Sequence, residues 1–245
     1  MNEQTGNAAD TNLAPPERVV NWSKWANQGR VPLLIVRHGQ TAWNKERRFL
    51  GRMDIPLDET GTTQARAAAA WLAPLPTAEL YTSPLSRAAM TAEALGQHLK
   101  RTPIHVDGLM ELNQGQLEGR PSADLANHFP ELFAAWMRDP TNVRVPGGET
   151  MGECQERAIA TFTDLCHRHE PGPPIVVVSH KMYIASFVCH VNGWPLSRYR
   201  EIEQNNTAIN LLSFGPDKAG RHGFALHQLN LTPHLIPDGP GQPEP

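Results

Sequence analysis

Leu33-Leu-Ile-Val-Arg37-His38-Gly39-Gln-Thr41 reads as a buried strand that runs straight into a basic, hydrogen-bonding loop. Four consecutive large apolar residues suit a strand covered on both faces, because a half-exposed strand would alternate apolar with polar. Ile175-Val-Val-Val178 repeats the pattern behind Pro173-Pro174. Leu80-Tyr-Thr82 and Ile104-His-Val106 are shorter strand candidates. Asn210-Leu-Leu-Ser-Phe214 and Phe224-Ala-Leu-His-Gln-Leu229, with Gly215-Pro216 and Gly220 between them, read as a closing hairpin. Helical patterns fill the gaps: an alanine-rich run from about Thr60 to Leu75, a second from Ser86 to about Leu99, and a third toward His169. The third starts at Thr150, whose spacing to Glu153 makes a capping box. Strands that alternate with helices predict an α/β fold, a three-layer α/β/α sandwich with a mostly parallel central sheet.

The whole chain fits that reading. Its 245 residues suffice for one α/β domain with a sizeable core. A net charge of −3 gives no bulk attraction to nucleic acid or to an acidic membrane surface. No apolar run approaches the roughly 20 residues that span a bilayer, and the N-terminus lacks the basic start and apolar block of a secretory signal. Cys154, Cys166 and Cys189 are odd in number and unpaired in spacing, as for reduced cysteines packed in a cytoplasmic protein. Residues 1–29 are expected to form a poorly ordered N-terminal extension, within which Val19-Val20 and Trp22/Trp25 could dock. The domain would occupy 30–231, and the Pro/Gly-rich 232–245 would be a disordered tail. A monomer or homodimer is expected.

Ligands of such sheets bind beyond the carboxyl ends of the strands, so the residues after each strand matter most. Here they are Arg37 and His38 with Asn44 following, Ser83 to Arg87, and Ser179-His180-Lys181. Taken alone, a histidine after a strand is a capping residue, an arginine is a solvated charge, and Ser-Pro is a turn. Together, two arginines and two histidines leaving one sheet edge are costly unless an anion neutralises them. Arginine presents a fork of donors matched to phosphate, and neutral imidazole is a nucleophile that needs no metal. The set points to phosphoryl transfer to histidine. Eleven histidines invite a metal reading, but none is joined to another and to carboxylates at ligand spacing. No metal and no cofactor are expected.

Arg37-His38-Gly39 with Asn44 resembles the R-H-G-x-[ST]-x-x-N signature of the histidine phosphatase (phosphoglycerate-mutase-like) superfamily. Gly51-Arg-Met-Asp54-Ile-Pro56-Leu57, Ser83-Pro-Leu-Ser-Arg87, Leu109-Met-Glu111, Gly147-Gly-Glu149-Thr150 and Val178-Ser-His180 resemble its later segments in order, over about residues 32–214. The resemblance implies that His38 is the nucleophile, that Arg37, Asn44, Arg87 and His180 bind the phosphoryl group, and that Glu111 is the general acid and base. Two positions depart from many relatives. Lys181 replaces a glycine and would either add a charge at the pocket rim or point away, the second being favoured; Leu50 replaces a small hydroxyl residue and should make one wall apolar.

Mutases of this kind carry a longer insertion between the acid residue and the second histidine, and a twin-arginine segment for which Trp136-Met-Arg138 is the nearest counterpart. The short interval here implies a phosphatase, with a phosphoglycerate-type mutase as the alternative. A non-enzymatic phospholigand-binding domain is a weaker one, since nucleophile and acid are both present. Residues 116–145 would form a lid-like segment. Its few cations, Arg120, Arg138 and Arg144, suit a monophosphate of a small metabolite such as a sugar phosphate, a phosphoglycerate or a nucleoside-like ester.

Overall fold

The computed structural model describes residues 20–235. In chain order the elements are α1 (Trp22–Ala26), β1 (Val31–Arg37), α2 (Ala42–Lys45), α3 (Glu59–Leu72), β2 (Glu79–Thr82), α4 (Ser86–Leu99) and β3 (Ile104–His105). There follow α5 (Leu125–His128), α6 (Pro130–Arg138), α7 (Met151–His167), β4 (Ile175–Ser179), α8 (Lys181–Val191), β5 (Ile209–Pro216) and β6 (His222–Leu231). The six strands lie in the order β3-β2-β4-β1-β5-β6. β3, β2, β4 and β1 run parallel, and β5 pairs antiparallel with both β1 and β6.

The unbroken apolar runs of β1 and β4 have a direct cause. Leu33, Ile35, Ile175 and Val177 point into the layer with Phe162 of α7 and Phe187 of α8. Leu34, Val36, Val176 and Val178 point into the layer with Leu72 of α3 and Leu95 of α4. Each fully buried side chain contributes roughly 1.5–3 kcal/mol, so both faces must be apolar for the sandwich to hold. α7 starts as its sequence dictates: Thr150 Oγ1 accepts from Glu153 N, and the Glu153 carboxylate accepts from Thr150 N.

Some boundaries differ from expectation. α3 stops at Leu72, short of Pro74, whose nitrogen carries no proton with which to continue the helical hydrogen-bond ladder. α8 has no counterpart among the expected helices. Its residues 183–189 are all buried, so no polar face reveals the helical period. Some residues of the extension expected over 1–29 and of the tail expected over 232–245 pack against the domain. Val20 and Trp25 are buried, and His234 is buried with its ring 2.9 Å from Thr207 Oγ1. The remainder of both segments lies outside the described residues.

Trp25 of α1 stacks on His227 of β6, with centroids 4.0 Å apart and rings 11° from parallel. Next to it, Arg30 donates to Ser213 Oγ and to the carbonyls of Ser213, Gly215, Pro216 and Gly223. This anchoring makes α1 part of the domain. Trp25→Ala should therefore cost about 3–5 kcal/mol in urea unfolding; a loss below about 1 kcal/mol would mean that α1 is only appended.

Candidate active site

His38 follows the last residue of β1 and is held from every side. Its amide donates to Ser179 O on β4 at 3.0 Å, and its carbonyl accepts from Thr207 N and Asn206 Nδ2 at 3.2 Å. The next residues are pressed by the start of α3. A Cβ at Gly39 would sit 2.5 Å from Gly61 O, and one at Gly61 would sit 2.0 Å from Gln40 O, so only glycine permits this approach. Asp58 fixes the contact by capping Gly61 N with Oδ1 while accepting from Gln40 Nε2 with Oδ2.

The His38 ring is buried, with Nδ1 2.7 Å from Gly39 O. A carbonyl only accepts, so Nδ1 carries the proton and Nε2 keeps its lone pair for the cavity that His38 lines. Burial, reinforced by Arg87 and Arg37, holds the imidazole well below its ordinary pKa. It is thus neutral and nucleophilic at neutral pH.

Arg37 ends β1 with Nη1 donating to Gln204 O at 2.5 Å. Arg87, near the start of α4, donates to Met53 O at 2.8 Å and Gly51 O at 2.7 Å, leaving Nε buried without a partner. Burial lowers its pKa to about 10, so it remains a cation at neutral pH. The segment 51–57 now has a physical account. Gly51 has φ +50°, and a Cβ there would meet Glu118 Oε1 at 2.0 Å. Asp54 caps Ser86 N and Oγ at 2.6 and 2.7 Å, fixing the helix end that presents Arg87.

His180 precedes α8 as its N-cap, with Nε2 2.8 Å from Ser83 Oγ. Ser83 Oγ also accepts from Leu85 N at 3.3 Å, which fixes the hydroxyl beside the ring. Nδ1 of His180 is buried without a protein partner. Burial, with Arg87 next, holds this ring well below its ordinary pKa as well. Asn44 contributes in a similar way. Its Oδ1 is occupied by Thr41 N and Thr41 Oγ1, which leaves the Nδ2 donor to the cavity it lines.

Glu111 lies against the N-terminus of α8. Oε1 accepts from Leu112 N at 2.8 Å and Tyr183 N at 2.9 Å, and Oε2 accepts from Met182 N at 3.1 Å. Burial raises its pKa, prevailing over those three amides and Arg87, which pull the other way. Oε2 accepts the fewer bonds and is the natural place for a proton. The backbone of Glu111 is steadied from behind: Arg157 donates to Glu111 O at 3.3 Å, to Met110 O at 2.7 Å and to Glu149 Oε1 at 2.5 Å.

His38, Arg37, Asn44 and Glu111 line one cavity of about 440 Å³, with Arg87 and His180 buried behind it. All six residues expected from the sequence are thus placed at one sheet edge. Leu50 lines the same cavity and makes part of its wall apolar. Lys181, the first residue of α8, also lines the cavity, in keeping with the rim alternative and not the favoured one. Gln204 and Asn206 belong to the site as well, and strand ends alone do not point to them. That rule inspects parallel strands, but antiparallel β5 brings the loop before it to the same edge. The polar run Glu203-Gln-Asn-Asn-Thr207 preceding a buried strand is the available signal. Among the described residues, no group of three or more His, Cys, Asp or Glu is arranged to hold a metal ion.

A neutral imidazole ringed by cations belongs to proteins that pass a phosphoryl group through histidine. The chain is a member of the histidine phosphatase superfamily (branch 1), whose family model matches residues 33–227. It is 28% identical over 205 residues to phosphoserine phosphatase 1 of Hydrogenobacter thermophilus, covering 84% of this chain and 94% of that protein. It is 28% identical over 203 residues to a probable phosphoglycerate mutase, GpmB, of Yersinia pestis, covering 83% and 94%. The solved mycobacterial glucosyl-3-phosphoglycerate phosphatase superposes with a TM-score of 0.73 at 27% identity, over 82% of this chain and 99% of that one.

Proposed function

We propose that this protein is a phosphatase that hydrolyses a phosphate monoester of a small metabolite through a phosphohistidine at His38. The observation that carries the reading is the His38 ring, locked by Gly39 O with Nε2 free among bound cations. Nε2 attacks phosphorus as the P–O bond to the leaving group breaks and protonated Glu111 delivers its proton to the departing oxygen. Glu111, now a carboxylate, takes a proton from water, which attacks the phosphohistidine. The P–N bond breaks, and phosphate, neutral His38 and protonated Glu111 result. Arg37, Asn44, Arg87 and His180 hold the equatorial oxygens, where charge collects in the transition state.

Transfer to water is favoured over transfer to a second alcohol. The segment from Glu111 to His180 is short, and the cavity meets solvent past the exposed Arg47 and Arg48. The phosphatases among the similar proteins support this reading, and the mutase name among them defines the alternative. Residues 116–145 serve as the lid-like wall over the site. A cytoplasmic monomer or homodimer suits three buried free cysteines and described helices none of which is long and apolar enough to cross a membrane. The test is phosphate release from a panel of phosphorylated metabolites by purified protein after exhaustive chelation, with 3-phosphoglycerate isomerisation followed in parallel. Phosphate release without isomerisation is expected. Activity that appears only on adding a metal, or isomerisation that outpaces hydrolysis, would contradict the reading.

Arg87→Ala should lower kcat/KM by roughly 10²–10³ for every substrate alike, since it removes a donor to the transferring group. Arg87→Lys should rescue little, because one ammonium cannot hold Gly51 O, Met53 O and a phosphoryl oxygen in the same fork. Full activity in either variant would remove Arg87 from the clamp.

A further inference from the structure

We infer that the leaving group of the substrate is an apolar alkyl or aryl alcohol and not a polyol, an inference that rests on the phosphatase reading above. Beyond His38 the cavity wall is formed by side chains such as Leu50, Leu112, Leu125, Leu132, Trp136 and Met182. They come from separate parts of the fold, so the apolar surface is assembled and does not belong to a single helix stripe. Several polar groups among the lining are engaged within the protein, while others, such as Arg47, Gln114, Lys181 and Glu203, line the cavity beside the apolar wall. Trp136 Nε1 donates to Tyr199 Oη at 2.8 Å. The Gln204 and Asn210 side-chain amides are paired in both directions, at 2.8 and 2.9 Å. Arg48 at the mouth is held by Glu46 and Gly119 O.

A sugar or glycerol hydroxyl seated against those apolar side chains would give up water without gaining a partner from them, at about 1–3 kcal/mol for each group left unsatisfied. A methylene placed on the same wall gains instead. At roughly 0.8 kcal/mol for each buried CH₂, affinity should rise about fourfold per carbon until the chain outgrows the cavity. Straight alkyl alcohols beyond methanol differ little as leaving groups, so such a series isolates the wall from the chemistry.

The test uses two readouts on the wild-type protein. Calorimetry with methyl-, butyl-, hexyl- and octylphosphonate, which cannot turn over, reports the wall alone. kcat/KM for the matching alkyl phosphates, set beside glycerol 3-phosphate, phosphoserine and glucose 6-phosphate, reports the wall and the chemistry together. Dissociation constants should fall at least several-fold with each added carbon pair, and hexyl phosphate should exceed glycerol 3-phosphate by at least about tenfold in kcat/KM. A flat phosphonate series, or a polyol ester or phosphoserine turned over faster than hexyl phosphate, would overturn the inference. The two failures separate cleanly. Steepening phosphonate affinity with no hydrolysis of any ester would sink the phosphatase reading and keep the apolar wall. Brisk hydrolysis with a flat series would do the reverse.

Discussion

His38→Ala should lose activity by a factor on the order of 10⁵ or more, the largest effect of any single substitution at this site. The nucleophile is one member of a set that acts as a unit, and removing it leaves only the clamp and the binding cavity. Nothing nearby can replace it. The other imidazole, His180, is fully buried with Nε2 held at 2.8 Å from Ser83 Oγ. Near-ultraviolet circular dichroism should show an intact fold, because the loop is held by backbone bonds to Ser179, Asn206 and Thr207 that the substitution leaves in place. Activity within about tenfold of wild type would mean that phosphorus is attacked by another group, such as water activated directly by Glu111.

The second large effect belongs to Glu111. Glu111→Gln keeps the acceptor for Leu112 N and Tyr183 N but cannot release a proton, and its amide nitrogen would face Met182 N. A stability cost of about 1 kcal/mol is expected from that mismatch. Turnover of esters with poor alkoxide leaving groups should fall by ~10²–10⁴. Nitrophenyl phosphate, whose leaving group departs unprotonated, should lose far less in the phosphorylation step measured by rapid quench. The pH profile should change as well. His38 must be neutral, and its lowered pKa places the acid limb of kcat/KM below the ordinary imidazole value of 6.5. Glu111 must be protonated, and its raised pKa moves the alkaline limb above the ordinary carboxyl value of 4.5. Glu111→Gln should abolish the alkaline limb and keep the acid one. Equal losses for both substrate types, with the bell intact, would remove Glu111 from the acid role.

Most of the site is legible in the sequence because its residues immediately follow parallel strands, and apolar runs such as Ile175–Val178 announce those strands without ambiguity. β1 alone places Arg37 and His38, and β4 places His180. Glu111 is different. It lies in a loop well past the two-residue β3, and only its resemblance to a family segment points there; the fold supplies the reason, three backbone amides at the start of α8 and in the loop that carries Glu111. The sign of its pKa shift is not readable from sequence, since cations and burial compete and only the geometry weighs them. The sequence cannot choose between the two placements of Lys181 because α8 is invisible to periodicity: with residues 183–189 all buried, nothing fixes the helical phase of its first residue. Trp25 shows the same limit at a terminus. Its partner His227 is about two hundred positions away, and a short segment held by one long-range stack and the bonds of Arg30 looks from sequence like a tail.

The proposed mechanism requires phosphorus bonded to His38 Nε2. A turnover mixture stopped within milliseconds in alkali, where phosphohistidine survives, should yield on digestion a peptide spanning Arg37-His38-Gly39 that is heavier by one phosphoryl group. The modification should disappear on brief acid treatment and be absent from His38→Ala. An unmodified His38 in an actively turning-over sample, or a phosphoryl group found on His180 or on any other side chain, would contradict the account.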